Sequence, residues 1–89
     1  MRQTARCVMM PLHLMVHVIV KLFATLREGR FTVETREYQP GSDVGRVIRD
    51  LGISENEAAL ILINGRHADL STQLNDQDVL AVFPPVGGG

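Results

Sequence analysis

From Val16 to Phe23 the chain reads Val-His-Val-Ile-Val-Lys-Leu-Phe, a β-branched, apolar run broken only by His17 and Lys21. It predicts a largely buried first strand. Residues Ala24 to Arg30 turn the chain. Phe31, Val33 and Thr35 then alternate with Thr32, Glu34 and Arg36 up to Tyr38, the period-two pattern of a half-exposed second strand with its apolar members on one face. These two strands form a hairpin.

Pro40-Gly41 ends the hairpin, and either Ser42 or Asp43 can accept hydrogen bonds from the free amides that open a helix. Val44, Val47, Ile48 and Leu51 recur at helical spacing while Arg46, Arg49 and Asp50 stay in water, giving a short helix of about three turns. Gly52 suits its left-handed cap. Gly45 inside the helix costs about 1 kcal/mol relative to alanine, which marks an expected close approach to the sheet. Ser54 to Glu57 reads as a polar loop, and Ala59 to Ile63 as an apolar strand closed by Asn64-Gly65, a strong hairpin signal. Arg66 to Ala68 returns, Leu70 to Leu74 connects, Asn75 to Asp78 turns, and Val79 to Phe83 is the final strand.

This order, ββαβ, a short return, then β, is an α+β layout in which one helix covers one face of a mixed sheet and the opposite face meets water or a partner. It is the layout of a β-grasp, the ubiquitin-like roll, whose first and last strands lie parallel and adjacent at the centre. The expected organisation is a flexible N-terminal extension over residues 1–15, a β-grasp domain over 16–83 and an extended C-terminal tail over 84–89.

At 89 residues only one core fits. The apolar share of 45% argues for a globular chain, and a net charge of −1 with interspersed signs leaves no electrostatic footprint for nucleic acid or a membrane surface. Cys7 is the sole cysteine, which excludes an internal disulfide and fits a reducing, cytoplasmic setting. Arg2 and Arg6 precede an apolar stretch from Val8 to Met15 that is interrupted by Pro11 and His13. That stretch is too short to span a bilayer and runs into a strand without a small-residue cleavage site, so it reads as an extension or upstream start, with Met15 an alternative first residue.

The chain closes on Pro84-Pro85-Val86 and three glycines, Gly87, Gly88 and Gly89. Side-chain-free residues can thread a channel too narrow for others, and six residues from Pro84 reach roughly 20 Å when extended. A strand running almost directly into such glycines, without the Ser or charged residues of a linker, presents a free α-carboxylate on a leash.

Leu22-Phe23-Ala24-Thr25-Leu26-Arg27-Glu28, Asn64-Gly65, Asp76-Gln77-Asp78-Val79 and Phe83-Pro84-Pro85-Val86-Gly87-Gly88-Gly89 together resemble the molybdopterin synthase small subunit and thiamine sulfur carrier family (MoaD/ThiS). The resemblance spans Val16 to Gly89, and its phenylalanine, double proline and terminal diglycine lean toward the molybdopterin branch. Gln77 stands where the family often has glycine, and Gly87 where it commonly has alanine, serine or threonine.

The resemblance implies that a ubiquitin-activating-like adenylyltransferase adenylates the Gly89 carboxylate, next to Gly88, using ATP-Mg bound by that partner. A sulfur donor then converts it to a thiocarboxylate for a molybdopterin synthase large subunit or another acceptor enzyme, making the chain a cosubstrate in a hetero-oligomer rather than an enzyme. Partner contacts implied by the family are Phe23, His67, Phe83, Pro84, Pro85, Val86 and Gly87, with Arg27, Glu28 and Arg66 as a polar rim. A thiamine-type carrier, a ubiquitin-like modifier joined through Gly89 to lysines, and a plain interaction domain are the alternatives.

The residues offer no other chemistry. There is no phosphate-cradling glycine loop, so the chain is expected to bind no cofactor. Cys7 has no placed partner, and His13, His17 and His67 lack metal-ligand spacing. His17 reads as a strand-surface residue and His67 as a sheet-face residue. Asp76 and Asp78 read as turn formers rather than an acid/base pair.

Overall fold

The computed structural model describes residues 14–85. The helix and all the strands predicted within them are present: β1 (Val16–Leu22), β2 (Val33–Tyr38), α1 (Val44–Asp50), β3 (Leu60–Ile63), β4 (Arg66–His67) and β5 (Val79–Phe83). They form a five-stranded sheet in the order β2-β1-β5-β3-β4, in which only β1 and β5 run parallel. This is the expected β-grasp.

The core lies between one sheet face and α1. Val18, Val20 and Leu22 of β1 and Leu80 and Val82 of β5 point into it, where they meet Val44, Val47 and Ile48 of the helix and Leu26 and Leu74 from the connections. Burying each such side chain contributes about 1.5–3 kcal/mol relative to leaving it in water.

Asp43 rather than Ser42 caps α1, its carboxylate accepting from the Arg46 amide at 3.0 Å. The helix has seven residues, about two turns instead of three. It ends in a Schellman motif: Gly52, at φ +72°, donates to the Arg49 carbonyl and Ile53 donates to that of Ile48. Gly45 does mark a close approach, but to the Leu70 carbonyl in the connector and not to the sheet. Its amide donates to that oxygen at 2.8 Å, and an added Cβ would lie 3.2 Å from it.

The second strand departs from its sequence pattern. It begins at Val33 rather than Phe31, and pairing with β1 puts Val18 opposite Arg36 and Val16 opposite Tyr38, so Glu34, Arg36 and Tyr38 share the helix-side face. Val33 is 53% exposed on the other face. An edge strand can carry polar groups over the core margin because their heads reach water past it. Arg36 does so by donating to the Tyr38 hydroxyl and to Glu34, with its guanidinium 5.9 Å from the centre of the Phe31 ring.

The turn after β1 contains a 3-10 segment, Ala24–Arg27, which sinks Leu26 into the core. Arg30 then reaches across. Its guanidinium donates to the Leu51 carbonyl at 3.0 Å, to Leu26 at 3.2 Å and to Gly52 at 3.3 Å, satisfying carbonyls at the end of α1 and tying them to the 3-10 segment. Arg30→Met, which keeps the aliphatic stem, is expected to lower stability by about 1–2 kcal/mol in urea unfolding. An unchanged midpoint would mean that these carbonyls are equally well served by water.

Candidate functional site

Strands β1 and β5 are parallel, so their C-terminal ends lie at the same edge of the domain. The Phe23 amide continues their pairing by donating to the Val82 carbonyl at 3.2 Å, which brings Phe23 beside Phe83. The two rings stack with centroids 4.1 Å apart and planes 12° from parallel. Both are half-buried. Sequence reasoning anticipated this meeting, conditional on the two strands being neighbours.

At Phe83 the ladder stops. Its carbonyl accepts from the Ala59 amide at 3.0 Å, after which Pro84 and Pro85 have no N–H to offer and leave the sheet. The departure point is the end of the middle strand. Val86, Gly87, Gly88 and Gly89, including the carboxylate assigned the chemistry, lie outside the described residues.

The sheet face away from α1 spreads out from the stacked rings. Leu60 lies opposite Phe83 and Leu62 opposite Ala81, while Ile19 and Val79 are opposite one another. All are partly exposed. These residues were missed as members of a site, although a signal was present: β3 and β5 are apolar at both parities, and a strand wet on one face would alternate. His67 is on this same face, opposite Leu62 on the edge strand β4, and is exposed. It is not adjacent to the phenylalanines. Arg66 lies opposite Ile63, on the helix side, so it does not rim this face. Arg27 and Glu28 are exposed at the end of the 3-10 segment that follows β1.

The acidic pair at the other end of the molecule shapes turns. Asp78, 7% exposed, accepts from the Asn64 side-chain amide at 2.9 Å and the Asn75 backbone amide at 2.8 Å, while Asn64 Oδ1 accepts from the Val79 amide. Asn64 and Gly65, both at positive φ, form the tight turn read from their dipeptide. Asp76 accepts from the His17 amide at 2.7 Å, and the His17 ring bridges Asp76 and Glu37. Gln77 sits at φ +71°, a left-handed position that favours glycine, the residue the resemblance leads one to expect there.

Among the described residues no group of three or more metal-ligating side chains converges. A concavity of about 800 Å³ lies between β2 and α1 against Tyr38, Ser42, Arg46 and Asp50.

Comparison with known families decides the lineage. The ThiS family model matches residues 20–89. The chain belongs to the ThiS family. Among solved structures, the HVO 2177 protein of Haloferax volcanii superposes on this ThiS-family chain with a TM-score of 0.70 at 28% identity, over 85% of this chain and 89% of that one. Small archaeal modifier protein 1 of Methanosarcina acetivorans is 32% identical over 84% of this chain and 98% of its own, with a TM-score of 0.63. Subunit 1 or 2 in the complex of the molybdopterin-converting factor from Helicobacter pylori aligns at 29% identity over 83% of this chain and 100% of that one, with a TM-score of 0.52. Comparison with curated proteins gives no match.

The hydrogen bonds donated to Asp76 by the His17 amide, and then by its ring, hold this carboxyl below its ordinary range. A depressed carboxyl contributes stability above its unfolded pKa of about 4 and loses it as pH falls through the folded value. Asp76→Asn is expected to melt below wild type at pH 6, with the gap closing in acid; a gap constant down to pH 2 would refute that linkage.

Proposed function

We propose that this chain is a sulfur carrier that serves as the small subunit of molybdopterin synthase. The observation that carries the reading is the exit of the tail: Pro84-Pro85 leaves the central strand at the stacked Phe23 and Phe83, on the border of an apolar sheet face. Such a root gives the terminus a fixed origin while the face beside it docks a partner. Family membership supports the carrier role, and likeness to a two-subunit molybdopterin-converting factor supports the pathway.

A carboxylate is ionised at neutral pH and resists nucleophiles. Adenylation of Gly89 by a separate activating enzyme releases pyrophosphate and supplies a leaving group, AMP; a persulfide displaces AMP to give an acyl disulfide, and a second thiol cleaves its S–S bond, freeing the thiocarboxylate and leaving as the disulfide. The nucleotide and its magnesium belong to that enzyme, and the sulfur then passes to a precursor held by the larger synthase subunit. This chain contributes the reacting carbonyl carbon, its reach and the docking face, and performs no catalysis. No helix among the described residues is long and apolar enough to cross a membrane, and a cytoplasmic place of work is part of the proposal.

Incubation with the activating enzyme, magnesium and ATP, a persulfide donor and a reducing thiol is expected to raise the intact mass by the difference between sulfur and oxygen, and deletion of Gly88-Gly89 to abolish the gain with little change in melting temperature. A full-length chain whose mass stays constant would remove the sulfur-carrier reading.

The likeness to small archaeal modifier protein 1 favours a second reading, a modifier joined through Gly89 to protein lysines. Adducts on other proteins that disappear on Gly89 deletion would establish it. Homotypic chains could grow only through Lys21, the single lysine.

A further inference from the structure

The strand registers arrange the open face in rows. Nearest the tail lie Phe23, Phe83 and Leu60; the next row runs Val33, Lys21, Ala81, Leu62, His67; then come Thr35, Ile19 and Val79; Glu37 and His17 close the far end. Lys21 thus has Val33 on one neighbouring strand and Ala81 on the other, with Ile19 and Phe23 before and after it on its own side of β1. No acidic residue occupies any of these positions.

Two carboxylates at the far end of the face are already engaged. Glu37 and Asp76 lie 3.3 and 3.1 Å from the two ring nitrogens of His17, at the end remote from Lys21. The ion pairs among the described residues involve His17, Arg36 and Arg46, and none involves Lys21. The residue is partly buried, and a lysine stem lying on apolar surface is tolerable while its charged head can reach water.

Covering an apolar face dehydrates any charge standing within it, and an unpaired ammonium so covered opposes docking strongly. A partner that seals the face must therefore either leave Lys21 wet or answer it. We propose that the protein partner of this face carries an apolar patch with one Asp or Glu placed to meet Lys21, so that the ion pair sets the register of docking and hence the direction in which the tail is threaded. This rests on the open face being the docking surface, as in the function proposed above.

The test uses the full chain and the larger synthase subunit from the same organism. Lys21 is the only lysine, so a zero-length carbodiimide, which joins an amine to a carboxylate in direct contact, is expected to yield a peptide crosslink from Lys21 to a partner Asp or Glu. Lys21→Met is expected to weaken binding about tenfold or more and to flatten its salt dependence, while Lys21→Arg stays close to wild type. Reversing the crosslinked carboxylate to Lys should restore binding to Lys21→Glu. Full binding by Lys21→Met with no Lys21 crosslink, alongside weak binding by a folded Phe83→Ala, would overturn the ion pair and leave the docking face standing. If Phe83→Ala also binds fully, the docking face itself is wrong and both proposals fall.

Discussion

Parallel pairing of the first and last strands holds this molecule together. β1 and β5 sit beside one another in the sheet and supply Val18, Val20, Leu22, Leu80 and Val82 to the core. Bringing them together closes a loop containing nearly the whole domain, an entropic cost that burial of those side chains offsets. Because the pairing is parallel, both strands finish at one edge, which is why Phe23 meets Phe83 and why the tail leaves from the interior of the sheet rather than from its border.

The two ends of this strand pair do different work. At the far end, Asp78 ties Asn64 and the turn before β5 to one another, and Asp76 holds the start of β1. Their oxygens are occupied by these bonds, so neither carboxylate is set up for acid/base chemistry. At the near end, hydrogen bonding stops at Phe83 because two prolines follow, and apolar area remains partly exposed. One end fixes the strands; the other leaves an apolar surface beside the prolines that end β5.

Much of this was legible in the residues because the signals were local. Asn64-Gly65 demanded positive φ at both positions, Asp43 and Gly52 bracketed the helix, and Val79 to Phe83 stood between a turn and two prolines. The inward face of the second strand was not legible for a related reason. Alternation reveals that a strand has two faces but not which one meets the core, and register with β1 turned Glu34, Arg36 and Tyr38 inward, leaving Val33 exposed. Arg30 was unreadable as a clamp, since its acceptors belong to separate elements that only folding assembles.

The candidate site divides along the same line. Order of elements, the run of glycines after Pro84-Pro85, the absence of a phosphate loop and likeness to the ThiS family all follow from the chain's covalent text, because backbone freedom, missing N–H groups and side-chain chemistry are properties of residues in sequence. Stacking of Phe23 on Phe83, placement of His67 two strands away from β5, Arg66 on the opposite side, and Lys21 within an apolar field emerged only on folding. Strand neighbours are set by long-range pairing, and their identity is a property of register that no short stretch of the chain contains.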